Sequence, residues 1–255
     1  MYHRTMAEPS LPFSIESSKV VILTGAGISA ESGIKTFRDN DGLWENHKVE
    51  DVATPNAWNQ NPELVWKFYQ QRRKQLLEVH PNPAHNALVN LSSVSKEFVL
   101  ITQNVDDLHE RSGSKNVIHM HGELRRLKCE KTRISQDRMS KKDLQSEFIY
   151  CNCCSIPKKM RPDIVWFGEE PYQLNKIFEN IEDCDLFVVI GSSGHVYPAA
   201  GLVNLASKFG AYTIIFNLEP PINSHAFDEI ITGPAGITLD KWVNTIIKNY
   251  ENSEL

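Results

Sequence analysis

The sequence predicts an α/β fold, a parallel-sheet domain interrupted by a small cysteine-containing module. Three observations carry this expectation. Short β-branched runs, KVVILT at 19–24, EFVLIT at 97–102, NVIHM at 116–120, DLFVVIG at 185–191 and YTIIFN at 212–217, alternate with helical patterns. Continuous apolar strands of this kind are buried on both faces, as in parallel sheets, and the segments 83–94 and 198–209 are long enough for crossover helices. The second observation is the segment 123–162, rich in Lys, Arg and Ser, where no strand is as apolar as its neighbours and cysteines stand near both ends. A core too poor to fold alone commonly needs a staple, here a metal. Third, the first strand runs directly into Gly25-Ala26-Gly27-Ile28-Ser29-Ala30, the pattern G-x-G-x-x-G/A.

The 255 residues suit one large domain with a small insert: residues 18–122 and 163–255 form the sheet domain, 123–162 the module, and 1–17 a flexible leader. A net charge of −5, from 27 basic and 32 acidic side chains, denies the chain the basic field that nucleic acid requires, so no direct nucleic-acid partner is expected. The longest apolar stretches, 186–191 and 20–23, fall far short of the roughly 20 residues that cross a bilayer. The N-terminal segment has no continuous apolar run before its Glu and Pro residues, so it reads as neither signal peptide nor anchor. Three of the five cysteines crowd into 151–154, where mutual disulfides would be strained, and a reducing cytoplasm is the natural setting.

Along the chain, glycines at 25 and 27 permit a tight turn and let backbone N–H groups approach a pyrophosphate, although a glycine turn after a strand is also a common structural corner. Gly33 then cuts the first helix short, and Phe37-Arg38-Asp39 follow on a long loop. TQNVDDLH, 102–109, lies at a strand's carboxyl end, where parallel sheets bind ligands; alternatively Asp106 or Asp107 simply caps the next turn. In HMHG, 119–122, period-2 alternation puts both imidazoles on one face, and a histidine at a strand end can serve as general base near neutral pH.

GAGISAESGIKTFRD, TQNVDDLH, HMHGEL, RPDIVWFGE and GSSGHVYPAA, in this order, closely resemble the sirtuins, the NAD-dependent protein-lysine deacylases, over roughly residues 18–245. The resemblance implies a Rossmann-type domain and a small zinc-ribbon-like module, with NAD between them and acyl-lysine proteins or peptides as partners. It implies that Gly25, Ala26 and Gly27 carry the phosphates and that Phe37 and Arg38 belong to the cofactor loop. Gln103, Asn104 and Asp106 would shape the ribose and nicotinamide pockets. Gly191, Ser192, Ser193, Asn217, Glu219 and Ala235 match the remaining NAD contacts, although relatives usually have Thr at the position of Ser192. His121 would be the base and Asn104 its catalytic companion, the acyl group ending on ADP-ribose as nicotinamide leaves. Val165, Trp166 and Phe167 would pair with substrate backbone, or else form a buried aromatic strand. A non-catalytic NAD or ADP-ribose sensor and a mono-ADP-ribosyltransferase remain alternatives.

The resemblance also implies a structural zinc held by two C-x-x-C pairs, but this chain has Thr132 where the first pair's second thiolate belongs. Cys129, Cys151 and Cys154 are the expected ligands, with Cys153 or water as a fourth; the alternative is a module that folds without zinc. Tyr69 and Arg72, three residues apart in the helical segment 63–80, share a helix face and resemble the signature of the branch that removes malonyl and succinyl groups. Arg73 is the fallback if the helix is rotated. The plain alternative is the edge of an amphipathic helix.

Overall fold

The computed structural model describes residues 11–35, 43–44, 47–136, 139, 147–221 and 223–253. The chain opens with β1 (Lys19–Thr24) and the short α1 (Ala26–Ala30), followed by a two-residue-stranded hairpin, β2 (Leu43–Trp44) and β3 (His47–Lys48). Helices α2 (Val49–Val52), α3 (Pro55–Gln60), α4 (Pro62–Glu78) and α5 (Pro83–Val94) come next. The last three begin alike: a proline at the first turn is preceded by Thr54, Asn61 or Asn82, whose side chain accepts a backbone N–H of that turn. Proline there gives up an N–H that had no helical partner, and the cap satisfies another.

Then follow β4 (Glu97–Thr102), α6 (Leu108–Ser112), β5 (Ile118–His119), β6 (Gly122–Cys129), β7 (Ser135–Gln136) and β8 (Met160–Ile164). The chain ends with α7 (Leu174–Glu182), β9 (Leu186–Ile190), α8 (Leu202–Lys208), β10 (Tyr212–Asn217), β11 (Glu229–Thr232) and α9 (Ala235–Ser253). Six strands form one parallel sheet in the order β11-β10-β9-β1-β4-β5. Because the chain winds outward from β1 to β5 and resumes on the other side at β9, a crevice opens at the carboxyl ends of β1 and β9, where open α/β sheets bind ligands.

Helices α5 and α9 cover one sheet face with Leu88, Leu91, Trp242 and Val243. On the other face α7 and α8 contribute Ile177, Ile181, Val203 and Ala206. A third core joins Trp58, Val65, Trp66, Phe68 and Tyr69 of α3 and α4 to Leu124, Leu127, Met160 and Trp166. The antiparallel sheet β7-β6-β8 therefore rests on the α3–α4 helices. Each face is buried by contact, so the charged module needs few apolar residues of its own.

The strand expected at 116–120 shortens to Ile118–His119, because Asn116 has φ +55° and only two residues pair with β4 at the sheet edge. The helix expected over 198–209 starts as a 3₁₀ turn, Ala199–Gly201. The sequence reading did not single out β11, α7 or α9, the first being only four residues long. Among the described residues no helix is long and apolar enough to cross a membrane.

Candidate active site

The crevice is lined by glycine backbone. Gly25 and Gly27 donate their N–H groups to the carbonyls of Ile190 (2.9 Å) and Gly191 (2.8 Å). A Cβ on Gly27 would lie 2.6 Å from Gly191 Cα, and Gly191 itself adopts φ +62°. Only residues without side chains let β1 and β9 turn away from each other this closely. The N–H groups of Gly25 and Gly27 thus bond the carbonyls at and just after the end of β9. Ala26 stands exposed between them. Phe37 and Arg38 lie outside the described residues.

The loop after β4 meets this turn. Asn104 is buried, and its Nδ2 donates to Gly25 O and Ser29 Oγ, both at 3.1 Å. Ser29 Oγ in turn donates to Asp106 Oδ2 at 3.0 Å. Asp106 also accepts the Leu108 N–H at 3.1 Å, so it caps the following turn as the plain alternative held, while facing the crevice network. Its burial pushes its carboxyl pKa up, against the hydrogen bonds from Leu108 and Ser29. Asp107 has a separate task, pairing with Arg125 at 3.0 Å and Arg111 at 3.7 Å. Gln103 Nε2 donates to Ser192 Oγ (2.9 Å), and Asn217 Nδ2 donates to Ser192 O (3.3 Å), tying the ends of β4, β9 and β10 together. Ser193 Oγ accepts the His195 N–H at 3.3 Å.

His121 is partly buried, and its Nδ1 lies 3.0 Å from the Gln103 carbonyl. A carbonyl only accepts, so Nδ1 carries the proton and Nε2 the lone pair. Burial lowers its pKa from 6.5 despite that hydrogen bond, and the ring is neutral at pH 7. At the far end of the crevice Ala235 is buried, Glu219 is exposed, and the first turn of α9 is held by Glu31, whose Oε1 accepts the Gly236 N–H at 2.8 Å.

The sulfur atoms of Cys129, Cys151, Cys153 and Cys154 all lie within 4.8 Å of one another. Cys129 Sγ is 3.8 Å and Cys153 Sγ 4.0 Å from Cys154 Sγ. A tetrahedron with Zn–S near 2.3 Å separates its sulfurs by about 3.8 Å, so these spacings fit zinc. Thr132 Oγ1 sits 3.2 Å from Cys153 Sγ. The missing thiolate of the first pair is thus replaced from the second, where Cys153 and Cys154 are adjacent in sequence. Against burial, hydrogen bonds from Thr132 pull the Cys129 thiol down to about 6, and the Lys158 N–H lowers Cys151. Both shifts favour the thiolate that a metal binds, while burial and the neighbouring sulfurs push the Cys154 thiol up to about 12.

The Sir2 family pattern matches residues 25–198. An NAD-dependent protein deacylase of Vibrio cholerae is 50% identical over 93% of this chain and 95% of its own length. One from Escherichia coli K12 is 47% identical over 93% of this chain and 85% of its own. The chain belongs to the Sir2 family. A Sir2 homologue solved with NAD superposes with a TM-score of 0.83 at 38% identity, covering 92% of both chains. A Sir2 protein bound to a myristoylated histone peptide gives 0.73 at 34% identity over 93% of this chain and 95% of the other.

Within this Sir2 fold, the WFGE segment departs from the expected extended strand. Glu169 N donates to Trp166 O (2.9 Å) and Gly168 has φ +90°, closing a turn. The N–H groups of Val165 and Phe167 donate to His121 O and Ala53 O, and that of Trp166 to Glu169 Oε2. The three N–H groups of Val165, Trp166 and Phe167 are therefore all bonded within the chain. Trp166 is buried, as the structural alternative held, whereas Phe167 is 50% exposed.

Tyr69 is fully buried in the third core, and its hydroxyl accepts a hydrogen bond from Trp166 Nε1 at 2.9 Å. Arg72 is half-buried, its guanidinium 5.4 Å from the centre of the Phe68 ring. Arg73 cannot be the fallback. It is fully buried and donates to Leu124 O (2.8 Å) and Gln70 Oε1 (3.0 Å), so it ties α4 to β6. Sequence reasoning passed over Ser29, although it stands inside the glycine motif, and Glu169, the last residue of the quoted WFGE run.

Proposed function

We propose that this chain is an NAD-dependent protein-lysine deacylase that prefers succinyl- and malonyl-lysine and also accepts acetyl-lysine. The observation that carries the reading is the hydrogen bond of His121 Nδ1 to the Gln103 carbonyl, 3.0 Å, at the carboxyl end of the parallel sheet. It leaves Nε2 as a neutral base able to take a proton from a ribose hydroxyl. NAD, when bound, supplies the acyl acceptor, since nicotinamide leaves and the acyl group ends on ADP-ribose. Gln103, Asn104 and Asp106 hold the ribose and nicotinamide end. Gly25, Ala26, Gly27 and Gly191 line the pyrophosphate, Phe37 and Arg38 cover the reacting ribose, and Ser192, Ser193, Asn217, Glu219 and Ala235 serve the remaining contacts. Acyl-lysine enters along Val165–Phe167 toward His121, excluding water from the competing hydrolysis. The deacylase relatives and the solved NAD and acyl-peptide complexes support this assignment.

Zinc is structural, held by Cys129, Cys151, Cys153 and Cys154, and the five free cysteines suit a reducing cytoplasm. The acidic-acyl preference rests on Tyr69 and Arg72. The Trp166 N–H fixes the Tyr69 hydroxyl one helical turn from Arg72. A carboxylate can be gripped by Arg72 through two parallel bonds, each worth about 1.5–3 kcal/mol.

The test incubates the protein with NAD and matched acetyl-, malonyl- and succinyl-lysine peptides and quantifies nicotinamide and acyl-ADP-ribose by mass spectrometry. Equimolar products, faster turnover of the acidic peptides, a preference erased in Arg72→Met, and no product from His121→Ala are expected. Equal rates on all peptides would remove the acidic-acyl preference. ADP-ribose attached to protein would make the chain a transferase instead, and binding without either product a sensor.

A further inference from the structure

The two histidines of HMHG take neighbouring carbonyls of one loop. His121 Nδ1 binds Gln103 O at 3.0 Å, and His119 Nδ1 binds Asn104 O at 3.3 Å. Their surroundings make them chemically opposite. The second nitrogen of His119, Nε2, lies 2.7 Å from Glu110 Oε1. Both partners of His119 are acceptors, so the form that satisfies them carries two N–H groups, the imidazolium. Glu110 on α6 and Glu123 on β6 face this ring, and one carboxylate oxygen of each and a ring nitrogen of His119 lie within 4.8 Å of one another. Asp106, in the loop itself, adds a further negative charge to this neighbourhood. Burial is the largest single influence and opposes the charge, but the hydrogen bond and charge of Glu110, the charge of Glu123 and the Asn104 carbonyl together outweigh it and raise the pKa of His119.

The carbonyl that His119 holds belongs to the residue with the most demanding placement in the crevice. The Asn104 N–H donates to Thr102 Oγ1 at 3.0 Å, and its side chain donates to Gly25 O and Ser29 Oγ. With its carbonyl on His119, this one peptide and side chain are gripped by β4, α1 and β5 at once. His119 is 8% exposed, so water competes poorly for these bonds.

We propose that His119, clamped by Glu110, is a positioning residue of the deacylase: it fixes the Asn104 carbonyl, and thereby aims the Asn104 side chain at the ribose while His121 is aimed from the neighbouring peptide. This rests on the deacylase reading and deepens it. His119 touches no substrate and acts through Asn104. An imidazolium clamp also keeps its proton where the base two residues away has lost its own.

The experiment compares His119→Leu with His119→Asn, whose Nδ2 replaces Nδ1 as donor to the Asn104 carbonyl. It measures kcat and KM for NAD and for acyl-peptide, melting temperature, and ADP-ribose affinity by calorimetry. In His119→Leu, kcat/KM for NAD and the affinity for ADP-ribose should fall about tenfold, with KM for peptide unchanged within twofold. His119→Asn should recover both to within about threefold of wild type, and Glu110→Gln should fall between the two. A His119→Leu enzyme within twofold of wild type overturns the proposal. So does a loss shared equally by the Leu and Asn variants. If the wild type itself made no acyl-ADP-ribose, the deacylase reading would fail, and the calorimetry alone would still decide the positioning role.

Discussion

Replacing Glu169 by Gln tests how the Trp166–Glu169 turn is held. The carboxylate of Glu169 accepts from Arg161 Nη1 (2.9 Å) and Nη2 (2.6 Å), from Arg133 Nη1 (2.7 Å) and from the Trp166 N–H (3.0 Å). Arg161 is 3% exposed and lies with its guanidinium carbon 3.5 Å from the centre of the Trp166 ring. An amide keeps one acceptor oxygen but loses the charge, leaving Arg161 buried without its counter-ion. Breaking such a pair costs about 3–5 kcal/mol. A second route gives a similar size. Burial would raise the Glu169 pKa, but the bonds from Arg161, the Trp166 N–H and Arg133, with the Arg161 charge, together override it and hold the carboxyl at about 2, against 4.5 unperturbed. That difference corresponds to about 3 kcal/mol, or roughly 2 after screening by water on its open side. For a chain of this size each kcal/mol moves the melting temperature by about 2–4 °C, so Glu169→Gln should melt about 5–12 °C lower at pH 7. The carboxylate's contribution is fully present above pH 4.5 and fades as pH falls toward 2, so the gap between wild type and variant should narrow below pH 4.5. KM for acyl-peptide should rise as well, because Trp166 and Phe167 lose their fixed turn. Calorimetric melting within 1 °C of wild type at pH 7 would refute the reasoning.

Cys153→Ser should bind zinc at least tenfold more weakly in competition with a chromophoric chelator, whereas Cys184→Ser, a cysteine remote from the cluster, should leave affinity unchanged. Unaltered zinc content and affinity in Cys153→Ser would show that Thr132 or water completes the site. Burial lowers the pKa of His85 to about 4 and, with the neighbouring His85 ring, that of His109 to about 3. Both fold as neutral rings, so the unfolded chain gains protons first as pH drops below 6.5. Each should therefore withdraw on the order of 3 kcal/mol of stability between pH 6.5 and its folded pKa, and His109→Gln should flatten the acid limb of a urea-midpoint against pH profile.

Runs of consecutive apolar residues placed β1, β4 and β10 at their observed bounds, because the parts of a strand covered on both faces are apolar at successive positions and so announce themselves. The glycine turn was equally legible, since only glycine tolerates the approach of Gly27 to Gly191, whereas His121, expected at a strand end, lies in the turn between β5 and β6. What the sequence could not contain is which partner each polar group finds across the fold. Asn104 meets Ser29 across 75 residues and Glu110 meets His119 across 9, while the Tyr69 hydroxyl meets Trp166 across 97. Local pattern treats Arg72 and Arg73 as near equivalents, and packing separates them completely: one step of about 100° around α4 sends Arg73 into the core against Leu124 and leaves Arg72 half in water. The fourth thiol was undecidable from spacing for the same reason. Its membership depends on whether the loop that carries Cys151, Cys153 and Cys154 folds back over Cys129, and that is set by the antiparallel pairing of β6 with β8, a contact between segments some thirty residues apart.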